Sequence, residues 1–357
     1  MKKVVVGCML IVFISSCKKD SPPEGVDSLT SVCTYRESGL DVSWDQSGSN
    51  RIAYSKKETD TYYDIHLANP DGTNDVCLTC DHTALPNRHI ACPYWTANGK
   101  WIIMVVEKAV HPGSSTDALP GFGAYCDIWI MRNDGVYAYK LVDIINDNDH
   151  GVIAPRISHD GKQLVWTDRK AAPNLMNPLQ QAGFWTIKLA DIHFSAYDSI
   201  APTISNIRTI EPVADAFYEC YGFSPDDSKL IFCSDIYQTS FLNEHIYTID
   251  TLGNGLNQLT TEDYNEHAFY KPDGSKIVWM SSTKSTKGGT DWWRMNPDGT
   301  NKERLTYFNE PNSSQYAGQA VWAGLGSFAP EGNRFVGGRQ VSLVTQEGEI
   351  MMVNIKH

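Results

Sequence analysis

One repeated unit limits what this chain can become. It is plainest from Phe269 to Thr306, FYKPDGSKIVWMSSTKSTKGGTDWWRMNPDGTNKERLT. Tyr270 ends a short strand, and Pro272-Asp273-Gly274 makes a tight turn. Ile277 to Met280 is then a buried strand, apolar throughout and without helical spacing. Asp291 to Met295 forms a third strand, Asn296 to Asn301 a second turn, and Lys302 to Thr306 an outer, more polar strand. Four antiparallel strands joined by two such turns are one blade of a β-propeller.

The unit recurs along the chain, and a repeat outweighs any local motif as a guide to fold. The first turn returns as Gln46 to Ser49, Thr96 to Gly99, Ser158 to Gly161, Ser224 to Asp227 and Ala329 to Gly332, each followed by an apolar strand. The second half returns as IHLANPDGTNDVCLT from Ile65, IWIMRNDGVYAYKLV from Ile128 and IYTIDTLGNGLNQLT from Ile246. The expected fold is therefore all-β, a propeller of four-stranded antiparallel blades. Six blades are expected, or seven if Ala201 to Val213 or Thr306 to Leu325 holds further strands. Phe223 to Ser234 and Ile246 to Thr260 resemble the repeat of the TolB-type, WD-like propeller family. That resemblance runs from about Trp44 to the C-terminus and speaks to architecture more than to activity.

The chain opens on Lys2-Lys3 and an apolar run from Val4 to Ile14, too short to span a bilayer, which takes about 20 apolar residues. Ile14-Ser15-Ser16-Cys17 is similar to a bacterial lipoprotein cleavage box. Residues 1–16 are thus expected to be a leader, Cys17 the lipidated residue, 17–28 a polar tether and 29–357 the propeller. The implied location is the outer membrane of a Gram-negative bacterium, facing the periplasm or the surface. Net charge is −12 and no basic patch interleaves with aromatics, so nucleic acid is not an expected partner. Membrane contact is expected through the N-terminal lipid only, with the protein a monomer.

The last repeat lacks an outer strand at the C-terminal end. Leu29 to Tyr35, otherwise unassigned, is expected to supply it and so close the ring. With strands named A to D from axis to rim, the A–B and C–D turns share one face, and the B–C loops and D–A links share the other. The first face reads as uniformly short turns. The second carries Ala109 to Ala124, Asp168 to Gly183, Asp235 to Glu244, Ser282 to Thr290 and Gly337 to Glu347, and long loops on a rigid scaffold tend to carry function. His82, His89, His111, His150, His245 and His267 fall on or beside it. Residues ahead of A strands are expected at the channel mouth: His89, His150, Glu219 and His267, with Arg169 and Arg339 nearby.

Cys77, Cys80, His82 and Cys92 have the residue types of a zinc site, but the paired CxxC spacing of a structural module is missing. A disulfide joining Cys80 and Cys92 across the D–A link is the competing expectation, while Cys220 and Cys233 read as buried free thiols. No cofactor and no metal is named, with a divalent ion left open. GxSxG, P-loop, HExxH and dinucleotide motifs are absent. Two functions remain. The first is an envelope propeller that binds a protein or polysaccharide over its loop face. The second, implied by resemblance to propeller polysaccharide lyases, is β-elimination on uronate oligosaccharides. There His150 or His267 would be the base and Arg169 or Arg339 the carboxylate neutraliser. The stretch Gln319 to Gly324 departs from the histidine-rich metal run of the oligogalacturonate lyases.

Overall fold

The computed structural model describes residues 29–111, 115–177, 180–238, 243–342 and 346–356. The leader, the tether and Cys17 lie outside the described residues. After β1 (Thr30–Arg36) the chain lays down six sheets. Blade 1 holds β2 (Leu40–Trp44), β3 (Ile52–Lys57), β4 (Tyr63–Ala68) and β5 (Val76–Cys77). Blade 2 holds β6 (Ile90–Trp95), β7 (Trp101–Glu107), β8 (Cys126–Arg132) and β9 (Ala138–Val142). Blade 3 holds β10 (Gly151–Ile157), β11 (Gln163–Ala171), β12 (Phe184–His193) and β13 (Thr203–Ile210). Blade 4 holds β14 (Tyr218–Phe223), β15 (Lys229–Ser234), β16 (His245–Asp250) and β17 (Asn257–Gln258). Blade 5 holds β18 (Asn265–Tyr270), β19 (Ile277–Ser281), β20 (Asp291–Met295) and β21 (Glu303–Arg304). Blade 6 is β22 (Trp322–Phe328), β23 (Arg334–Ser342), β24 (Glu347–Ile355) and, outermost, β1.

The ring has six blades. Ala201 to Val213 contains β13, an outer strand of blade 3, and the stretch after Thr306 is a link that leads into β22. Closure follows the sequence expectation: β1 runs antiparallel to β24 from Thr30 opposite Ile355 to Arg36 opposite Ile350. Among the described residues no helix is long and apolar enough to cross a membrane.

Local chemistry repeats with the blades. Asp71, Asp160, Asp226, Asp273 and Asp298 each accept the backbone N–H two residues on, at 2.9–3.2 Å. An Asx turn of this kind mimics a backbone turn and fixes the hairpin. Gly274 and Gly299 then sit at φ 72° and 84°, where a side chain is strained. The core lies between blades, as the twisted sheets pack face to face. Phe269 of blade 5 stands 5.5 Å from Phe328 and 5.4 Å from Phe335 of blade 6, and Trp292 closes on Phe335 at 5.2 Å.

Inner strands would leave edge N–H groups unmet, and hydroxyls from the preceding blade meet several of them. Ser43 Oγ accepts from Trp95 N at 3.0 Å, Thr167 Oγ1 from Cys220 N at 2.8 Å, and Ser327 Oγ from Trp44 N at 2.8 Å.

Two expectations about the loops need correction. Gly337 to Glu347 is mostly strand, because β23 and β24 extend their ladder as far as Ser342 opposite Glu347. Nor is the turn face uniformly short, since residues 194–202 join β12 to β13 there. The outer strands β5, β17 and β21 have two residues each, so the expected Lys302 to Thr306 strand shrinks to Glu303–Arg304.

Deleting residues 29–36 is expected to strip β24 of its partner and take the buried Val32, which is 5% exposed, out of the core it shares with Val353. Lost hydrogen bonds at about 1 kcal/mol each and lost apolar burial put the cost at several kcal/mol. Thermal melts check this, and a deletion that melts within roughly 2 °C of the parent would mean the ring closes without β1.

Candidate functional site

All six inner strands carry a β-bulge, at Leu40/Val42, Ala91/Tyr94, Ile153/Arg156, Cys220/Gly222, Glu266/Phe269 and Ala323/Gly326. A bulge inserts a residue and re-aims its side chain. Four of these residues take the left-handed conformation without being glycine: Asp41 (φ 41°), Cys92 (55°), Ala154 (50°) and His267 (53°). Backbone of that kind is uncommon and tends to gather at functional sites. All four line a cavity of about 590 Å³ on the propeller axis, to which every blade contributes.

The cavity is divided in character. Ile153, Trp185, Phe217, Met280 and Leu325 give it apolar walls. Glu219, Glu244 and Glu266 form an acidic corner in blades 4 and 5. Tyr264 Oη donates to Glu266 Oε2 at 2.6 Å, Cys233 Sγ donates to Glu244 Oε2 at 3.4 Å, and Tyr221 Oη reaches Cys233 Sγ at 2.9 Å. Burial pushes the carboxyls of Glu219 and Glu244 well above the usual range. The charge and hydrogen bond of Glu266 push Glu219 in the same direction. Oxygen and sulfur atoms of Glu219, Cys233 and Glu266 lie within 4.8 Å of one another, close enough to share either protons or a cation.

Three of the expected mouth residues meet here: Glu219, His267 and Arg169. Glu219 and His267 lie within β14 and β18 rather than ahead of them. Arg169 is held by the carbonyls of Asn148 (3.0 Å), Asp149 (3.1 Å) and His150 (3.3 Å), and burial lowers its pKa. The other three are not among the cavity residues. His89 Nδ1 accepts from Tyr63 N at 3.2 Å between the rings of Tyr62 and Tyr63, and burial lowers its pKa. His150 Nδ1 sits 2.7 Å from Asp147 Oδ1, and Arg339 Nη2 donates to Glu349 Oε2 at 2.7 Å. All three lie outside the bulges of the inner strands. His82 bonds the carbonyl of Gly135, in the turn between β8 and β9. Arg156 and Asp41 are cavity residues that sequence reasoning passed over, since nothing in the pattern marks a bulge.

The cysteine expectation is corrected. Cys77 is bonded to Cys80, while Cys92 is a buried free thiol in the cavity wall, 3.5 Å from Asp41 Oδ2. The pair across the D–A link fails because Cys92 belongs to an inner strand and Cys77 is only three residues from Cys80. With both sulfurs joined to each other, the suggested zinc set of Cys77, Cys80, His82 and Cys92 is not assembled. Cys220 and Cys233 are buried and free, as expected.

The chain is similar to TolB from Acinetobacter baumannii at 18% identity and TM-score 0.53, over 86% of this chain and 64% of that one. The fold is that of the TolB-type propellers. The chain thus spans less than two thirds of that TolB. It is also similar to an oligogalacturonate lyase in complex with manganese (12% identity, TM-score 0.54, 96% of each chain). A gluconolactonase, XC5397 from Xanthomonas campestris, aligns at 14% identity and TM-score 0.55, over 95% of this chain and 96% of that one. No protein-family model and no curated protein matches the chain. Relatives with such different activities make the TolB-like fold a guide to architecture alone.

The acidic corner has a measurable consequence. A carboxyl whose pKa is raised by folding holds its proton in the native state after the unfolded chain has released it. Stability from that proton is whole below about pH 4.3 and is lost as pH rises through the native value. Glu244→Gln cannot ionise, so it is expected to melt roughly 2 °C or more above the parent at pH 8. The gap is expected to shrink towards pH 4. Equal melting temperatures at pH 8 would mean Glu244 ionises without penalty.

Proposed function

We propose that the protein is a lipid-anchored propeller of the cell envelope that binds a polypeptide partner over its loop face, seating part of that partner in the axial cavity. One observation carries the reading. The exposed apolar side chains Val110, Phe122, Ile145, Leu175, Met176 and Tyr237 belong to B–C loops or D–A links, and Phe122 lines the cavity, whereas Val136, Phe194, Tyr197, Ile200 and Leu252 sit on the opposite turns, where no such cavity opens among the described residues. Leu175 and Met176 are 79% and 92% exposed. Apolar side chains grouped at a concave site suit a protein chain better than a hydroxyl-rich glycan. The envelope location rests on the lipoprotein-like box at Cys17.

Leu175→Glu with Met176→Glu is expected to weaken capture of peptides from a displayed library by tenfold or more. Charge reversals at Asp160 and Asp298 on the opposite turns are expected to leave capture unchanged. The reverse pattern would put the working face on the other side. Selective binding of polysaccharides, with no peptide bound, would replace the polypeptide by a glycan. Cys17→Ala is expected to abolish labelling by a fatty-acid analogue, and equal labelling of the variant would remove the anchor.

β-Elimination keeps one geometric support. Of its candidate bases and arginines, His267 and Arg169 share the cavity, and His267 Nδ1 makes no hydrogen bond. Absorbance at the unsaturated-uronate band after mixing with pectic and ulvan oligosaccharides decides between the readings, and none is expected.

A further inference from the structure

Resting on the polypeptide reading, we propose that the axial cavity receives the carboxyl terminus of the partner chain, with Arg156 meeting the terminal carboxylate. Arg156 extends from β10 into the cavity and is 5% exposed. Its one hydrogen bond to a described residue runs from Nη1 to the neighbouring Pro155 carbonyl, at 2.9 Å. Among the described residues no carboxylate oxygen lies within 4.0 Å of it. The guanidinium lies 4.9 Å over the ring of Tyr94, which supports its plane and leaves the remaining N–H groups for a ligand.

Arginine is the one group here that cannot escape its charge. A buried glutamic acid can keep its proton, whereas a guanidinium stays ionised at any working pH. A buried cation without a contacting anion is costly, and sites that persist in that state tend to be completed by a ligand. Arg169 differs, because three backbone carbonyls already take its donors. Asp41 and Glu219 feel the charge of Arg156 without touching it. Burial raises both carboxyls, which eases the proton uptake that an arriving carboxylate would demand. A planar guanidinium with free parallel donors matches a carboxylate in two-pronged geometry. Ile153, Trp185, Phe217 and Leu325, which line the same cavity, suit the last side chains of a polypeptide. A chain end enters such a mouth once, while an internal segment would have to enter and leave by it.

The test is calorimetry on the full chain with N-acetylated hexapeptides varied at their last three positions, each made as the free acid and as the C-terminal amide. The best free acids are expected to bind at least tenfold tighter than their amides. Arg156→Met is expected to erase that preference, and Arg156→Lys to keep part of it. A structural arginine would destabilise the fold when removed, so Arg156→Met is also expected to melt no lower than the parent. Arg156→Gln serves if the methionine variant does not fold. Equal binding of acid and amide, or a preference that survives Arg156→Met, overturns the inference. If acid and amide bind equally and Leu175→Glu weakens both, the polypeptide reading stands and only the carboxyl-terminus inference falls. If no peptide binds, both fall, whether or not pectic oligosaccharides bind in their place.

Discussion

Pairing of β1 with β24 is the interaction on which everything else depends. It makes the last blade from both ends of the chain, so the sixth sheet has four strands like the other five. Closure fixes the distance of each inner strand from the axis, and that distance governs what the inner strands can do. Their inward edges have no further strand of the sheet to pair with. The N–H groups of Trp44, Trp95 and Cys220 turn instead to hydroxyls from the blade before. In every blade the inner strand then bulges, and the bulge is where the scaffold gives up regularity to place a side chain on the axis. Architecture and cavity thus follow from one geometric demand.

The same closure sets the electrostatics. Side chains gathered on the axis are shielded from water by six sheets, so ionisation there costs more than on the rim. Burial there raises the carboxyls of Asp41, Glu219 and Glu244, favouring their protonated forms. On the turn face the reverse holds. Asp226 accepts hydrogen bonds from Ser224 and Ser228, and its pKa is lowered. The contrast separates aspartates that build hairpins from acids that face a ligand, which composition alone cannot do.

How much of this was legible follows from what repeats. Turns such as Pro272-Asp273-Gly274 and strands such as Ile277 to Met280 recur in register with the fold, so blade number, strand order and closure by the N-terminal segment could be read directly. Bulges leave no such trace. Cys92 and Ala154 each precede a proline, Cys92 before Pro93 and Ala154 before Pro155, and the pair hints at broken pairing in two blades. Asp41 and His267 have no comparable marker. His89 and His150 looked equally well placed, yet they sit where the incoming link still faces its own blade. Arg156 read as an ordinary strand residue because exposure of a strand to an axial cavity is a property of the ring. The Cys77–Cys80 bond joins the end of β5 to the chain just beyond it, a turn-back that the spacing of the cysteines alone does not reveal.

If the bulge residues are what a ligand meets, the propeller separates folding from recognition more cleanly than most scaffolds. Turn aspartates, inter-blade aromatics and hydroxyl latches hold the ring, and none of them needs the identity of Asp41, Cys92, Ala154, His267 or Leu325. Each of these sits on a different blade, and of the five only Asp41 and Cys92 are joined by a hydrogen bond, so those two are expected to change together. Arg156 follows the left-handed Ala154 of β10 by two residues and belongs to the blade before the one whose inner strand carries Glu219. A ligand must therefore satisfy a fixed cation and an acidic corner together. Burial favours the protonated form of Glu219 and Glu244, and a protonated carboxyl is a hydrogen-bond donor to an anion, so the two halves of the cavity need not compete. Blade order, more than any one side chain, is what brings them into a single site.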